Sequence, residues 1–169
     1  MRPDAAPQIS TGYSRLQIAL HWVTVGLILW QFVANEAMGQ AWRAFRQGTE
    51  LPLSALVAAH VFAGLALLAI AFWRMILRVT RNAPPAPAGQ TAALRAAAAA
   101  VHGALYILTV AVAVSGAVAW FGGIATAAEA HEFLKTLLLV LIGLHVAAAL
   151  WHQFWLRDGL MERMRRPQA

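Results

Sequence analysis

The sequence predicts an all-α fold, an integral membrane four-helix bundle that takes up residues 1–169 as a single domain. Three observations predict it. Hydrophobic residues make up 60% of the chain and charged residues only 12%, about half the charged share of an average soluble domain. Four long apolar runs follow one another, each near the ~20 residues that a helix needs to cross ~30 Å of hydrocarbon. The connections between them are short, so no soluble domain is left to hold separate chemistry.

The first helix is expected at about 16–34. It is read as retained, not as a signal peptide, because it begins more than a dozen residues into the chain and no clear A-x-A site follows it. The loop 35–52 is polar and outward-facing, with Trp42 and Phe45 expected at the interface. The second helix follows at about 53–78, and the linker NAPPAPAG after it is too rich in proline to continue a helix. The third helix is expected at about 96–121; its run AAAAA offers small side chains that let membrane helices approach closely. The fourth is expected at about 131–156. Trp42, Trp73, Trp120 and Trp155 fall near the ends of these segments, where indoles sit at headgroup level, while Trp22 and Trp151 lie further in.

Arginine and lysine set the threading. Arg2, Arg15, Arg74, Arg78, Arg81, Arg95, Arg157, Arg163, Arg165 and Arg166 fall on one side, and Arg43, Arg46 and Lys135 on the other. Ten against three places both termini in the cytoplasm under the positive-inside rule. The net charge of +6 thus marks topology. The basic residues form no stripe on a soluble fold, and no nucleic-acid partner is expected. Cysteine is absent, which excludes disulfides, thiolate zinc sites, iron–sulfur clusters and covalently attached haem.

Histidine is then the main candidate for metal chemistry. The six histidines, His21, His60, His102, His131, His145 and His152, all fall within or beside apolar runs, where polar groups are expensive and usually functional. A lone histidine there is as often bonded to a neighbouring carbonyl, but six in so small a chain point beyond that. In HEFLKTLLLVLIGLH, His131 and His145 stand fourteen residues apart. At ~100° and ~1.5 Å per residue they face one side of the helix at depths roughly 21 Å apart. They are too distant to share an ion, so each needs a partner from another helix. Threading pairs His60 with His131 in the outer half and His21 with His145 in the inner half. Two imidazoles facing each other at one depth suit axial coordination of haem, and small residues such as Ala59, Ala63, Gly64, Gly143 and Ala147 leave room for a macrocycle. His152 points to nearly the same face as His145, and spacing alone does not choose between them. For His102 and His152 a structural or propionate-contact role is expected ahead of iron ligation.

The segments YSRLQIALHW (13–22), AAHVFAGLALLAIAFWRMILR (58–78), VHGALYILTVAVAVSG (101–116) and HEFLKTLLLVLIGLHVAAALWHQFWLRDGLMERM (131–164) closely resemble the bacterial cytochrome b561 family. The resemblance spans almost the whole chain. It implies an inner-membrane protein with two haem b groups, axial ligands at His21, His60, His131 and His145, and the pairs His21/His145 and His60/His131, with His152 outside the ligand set. It also implies outer-sphere electron transfer, since no coordination position stays open. Ubiquinone is the expected acceptor, and superoxide or another outer-face donor the electron source. Arg74 and Arg78 are candidates for haem propionates, and Lys135, Arg43 and Arg46 for steering a small anion. The alternative is a haem-bearing anchor and electron carrier for a partner dehydrogenase or hydrogenase. A haem-free scaffold or transporter is the third.

Overall fold

The computed structural model describes residues 12–50, 54–81, 84–85 and 89–167. Arg2, the first residue of the second expected helix and most of the NAPPAPAG linker lie outside the described residues. Five α-helices are present: α1 (Arg15–Val33), α2 (Asn35–Gln47), α3 (Ala55–Arg81), α4 (Ala92–Gly122) and α5 (Ala125–Trp151). All but α2 are long and apolar enough to cross a membrane. The chain is a helical membrane bundle, with no strand among the described residues.

Each boundary has a local cause. Ser14 starts α1 with a capping box: its hydroxyl accepts from the Gln17 amide at 3.3 Å, and the Gln17 side chain accepts from the Ser14 amide at 3.0 Å. Thr91 caps α4 in the same position, accepting from the Leu94 amide at 3.3 Å, so that helix starts four residues before the expected 96. Gly123, with φ +64°, ends α4 in the left-handed conformation that glycine adopts freely, and α5 begins two residues later, ahead of the expected 131.

Where a loop was expected after α1, the chain instead forms α2. Its sequence NEAMGQAWRAFRQ is polar on average, which hides it from a search for apolar runs. Yet Met38, Ala41, Trp42 and Phe45 recur at helical spacing. Ala41 is buried and the Trp42 and Phe45 rings stack at 5.4 Å. The alanines 96–100 were expected to support close helix contact; all are exposed.

Neighbouring spans pack in the order α1–α3–α4–α5, with α2 against α3 and α1. Val57, Ala63, Leu67 and Ala71 bury one stripe of α3, the helix central to that order. Large apolar side chains such as Phe62, Ile107, Phe133 and Leu144 point outwards, as expected where lipid is the solvent. Two ends can be told apart. At the terminal end, the Trp22 indole donates to the Met164 carbonyl at 2.8 Å and Arg163 donates to the Pro85 carbonyl at 2.6 Å. At the loop end, α2 lies over the α4–α5 turn, and Lys135 donates to the Asn35 side chain at 3.0 Å.

Candidate functional site

The loop end holds a cavity of about 810 Å³ framed by α1, α2, α3, α4 and α5, and both His60 and His131 line it. Helix α3 supplies His60 and α5 supplies His131; these two helices are not among the close-packed pairs. The cavity lining includes small residues: Gly64 on α3, and Gly116 and Ala113 on α4. A methyl group at Gly116 would stand 2.9 Å from two atoms of the His131 ring, so only glycine lets that imidazole lie where it does. His131 Nδ1 donates to the Val112 carbonyl at 2.8 Å. A carbonyl can only accept, so the proton sits on Nδ1 and the Nε2 lone pair is free. Opposite, His60 Nδ1 is buried with no hydrogen-bond partner. Arg43 and Arg46 of α2 reach the cavity from above, as do Lys135, Glu129 and Glu132. Lys135 is already engaged, donating to Glu132 at 2.7 Å.

The terminal end gathers His21, His102 and His145, which lie within electrostatic reach of one another. The His102 ring meets the His145 ring edge-on with centroids 5.2 Å apart, and His102 Nδ1 donates to the Ala98 carbonyl at 2.6 Å. Helices α1 and α5, which carry His21 and His145, are again not a close-packed pair. Arg74 stands in this cluster. Its guanidinium donates to Thr24 Oγ1 at 3.1 Å and to His21 Nδ1 at 3.2 Å, and it lies 5.4 Å from the centre of the Tyr106 ring. Because arginine cannot accept, His21 carries its proton on Nε2 in this arrangement. Ligation of iron through Nε2 requires that proton to move and Arg74 to turn to another acceptor, a role suited to a propionate carboxylate.

His152 lies apart from both groups. It opens a wide turn, His152–Leu156, that ends α5, and its Nδ1 bonds Asp158 Oδ2 at 2.6 Å. No group of three or more His, Cys, Asp or Glu side chains is placed to hold a metal ion among the described residues. Haem fits what is present at the loop end: a cavity of sufficient size, one imidazole with its proton turned away, a second with an orphaned nitrogen, and a glycine cradle. At the terminal end the imidazoles are gathered, and His21 would fit once Arg74 turned to another acceptor.

Of the residues singled out in the sequence, His60 and His131 meet across one cavity, and His21, His102 and His145 form one cluster with Arg74. Gln31, which lines the loop-end cavity, was not singled out, and neither were Val112, Gly116 and Asp158. An amide inside the first apolar run was the available signal for Gln31; Gly116 and Asp158 carry none without the fold.

A family model described as prokaryotic cytochrome b561 matches residues 12–167. A cytochrome b562 of Cereibacter sphaeroides is 39% identical over 93% of this chain and 97% of its own length. A probable superoxide oxidase, CybB, of Yersinia pestis is 28% identical over 90% of this chain and 94% of its own.

Proposed function

The chain belongs to the prokaryotic cytochrome b561 family of membrane haem proteins that work in electron transfer, and from that premise we propose a di-haem b protein that moves electrons from superoxide, or another outer-face donor, to ubiquinone. One observation carries the reading. Each expected histidine pair straddles two helices that are not close-packed, α3 with α5 and α1 with α5, which is where a flat group held on both faces needs its space.

In this proposal His60 with His131 would hold one haem at the loop end, and His21 with His145 would hold the other at the terminal end. Haem bound there would supply reversible one-electron chemistry. The chain's own residues do the rest. Val112 fixes the His131 proton on Nδ1, Gly116 clears space for that ring, and Arg74 offers a forked cation at the terminal end. His102 and His152 stay outside the ligand set. Both termini lie in the cytoplasm of a bacterial inner membrane, so the loop end faces outward. There Arg43 and Arg46 attract an anion to the cavity mouth more than Lys135 does, since Glu132 already neutralises that ammonium. The overall reaction balances with two superoxide ions leaving as oxygen while ubiquinone gains two electrons and two protons to become ubiquinol.

Purified, reduced protein mixed with a short-chain ubiquinone analogue tests the acceptor. Reoxidation at a rate that rises with quinone concentration is expected; absence of reoxidation rejects the quinone role. A superoxide-generating system should reduce the oxidised protein. Arg43→Glu with Arg46→Glu should slow that step at least about tenfold at low salt, and Lys135→Gln far less. Recovery of a stoichiometric dehydrogenase after mild detergent extraction, with no reaction with superoxide, would favour the anchor subunit instead.

A further inference from the structure

Two buried polar atoms stand without hydrogen-bond partners among the described residues, and they belong to neighbouring side chains: Gln31 Oε1 and His60 Nδ1. One is an acceptor. The other, in an imidazole that binds through Nε2, is a donor. The Gln31 amide already reaches residue 60, since its Nε2 donates to the His60 carbonyl at 3.2 Å. It can do so because the next turn of α3 carries Gly64, where a Cβ would stand 3.3 Å from that same nitrogen. Both side chains line the loop-end cavity. A buried donor or acceptor left unpaired loses its hydration with nothing in return, so each of these atoms favours a partner.

We propose that Gln31 is the positioning residue for His60, its carboxamide oxygen accepting the His60 Nδ1 proton so that the Nε2 lone pair faces the cavity. This rests on the reading of His60 as a haem ligand. It gives the loop-end pair a matched design. Val112 holds the proton of one imidazole through a backbone carbonyl, and Gln31 holds the other through a side chain that a substitution can remove. A hydrogen bond at Nδ1 makes the imidazole a stronger donor to iron, which favours the oxidised state and lowers the reduction potential.

Redox titration of the purified holoprotein in detergent tests this with Gln31→Leu and Gln31→Glu, following each haem by its visible absorption. The loop-end haem is identified as the one lost in His60→Ala. Gln31→Leu should shift its reduction equilibrium about tenfold towards the reduced state, ~59 mV for one electron. Gln31→Glu should return it to the wild-type value or below, and the other haem should not move in either variant. An unchanged loop-end potential in Gln31→Leu, or equal shifts of both haems in both variants, overturns the proposal. If Gln31→Leu loses the haem altogether, its retention in Gln31→Glu supports the hydrogen bond, and its loss in both variants means packing alone and overturns it. Retention of both haems in His60→Ala would reject the ligand reading beneath. Loss of one there with an unmoved potential in Gln31→Leu rejects only the role of Gln31.

Discussion

His131 and His102 each give the Nδ1 proton to a backbone carbonyl, at 2.8 Å and 2.6 Å, yet the two bonds do different things. The His131 acceptor belongs to another helix, so the bond orients the ring across the α4–α5 contact. The His102 acceptor is one turn back on α4, so the bond folds the ring against its own helix. Gly116 makes the first arrangement possible. In Gly116→Ala the new methyl meets the same edge of the ring that Nδ1 ties to the Val112 carbonyl, so the ring can retreat only by stretching or breaking that bond. Overpacking of this kind costs about 1–3 kcal/mol. Haem content at the loop end should fall while the terminal-end haem stays, read as haem per protein and as loss of one spectral component. Retention of both haems at wild-type affinity would show that the ring moves aside easily. That His60 and His131 come to one cavity was legible from spacing and threading. Gln31 and Gly116 were not, because their roles depend on which neighbour lies within 3–4 Å, and no periodicity encodes that.

Among the elements, α2 and the end of α5 depart most from the sequence reading. An apolar-run search finds spans and passes over a short amphipathic helix whose mean hydropathy is low. The helical recurrence of Met38, Ala41, Trp42 and Phe45 was the signal available. At the end of α5, the wide turn carries His152 to Asp158, and Asp158 Oδ1 accepts from the Leu160 amide at 3.1 Å, so one carboxylate ties two segments. Burial pushes the Asp158 carboxyl up, but hydrogen bonds from the His152 ring and the Leu160 amide outweigh it and hold the group below its ordinary value near 3.8. A carboxyl lowered by folding contributes its full stabilisation above the unfolded value, and that contribution is lost as pH falls through the folded value. Amide hydrogen exchange across 158–164 should therefore stay slow from neutral pH down to the ordinary carboxylate range and lose protection below it. In Asp158→Asn the protection should already be reduced at pH 7. Equal protection in both proteins at every pH would separate the turn from this carboxylate.

For the whole molecule, the apolar spans and the bundle were readable from composition, because lipid demands long uninterrupted apolar helices. The order of packing was not. That α1 meets α3 while α1 and α5 stay apart depends on side-chain shape, and it decides where a cofactor has room. The threading rests on ten basic residues against three. Reporter domains fused to either terminus should be active only in the cytoplasm, and a reporter active in the periplasm at either one would reverse the outward assignment of the cavity. The central claim is two haems held by two named histidine pairs. Its most direct test is haem content per protein and the absorption spectrum of the six single His→Ala variants. His60→Ala and His131→Ala should each lose one haem, His21→Ala and His145→Ala the other, and His102→Ala and His152→Ala should keep both. Haem loss in His152→Ala with retention in His145→Ala, or two haems retained in His60→Ala, would contradict it.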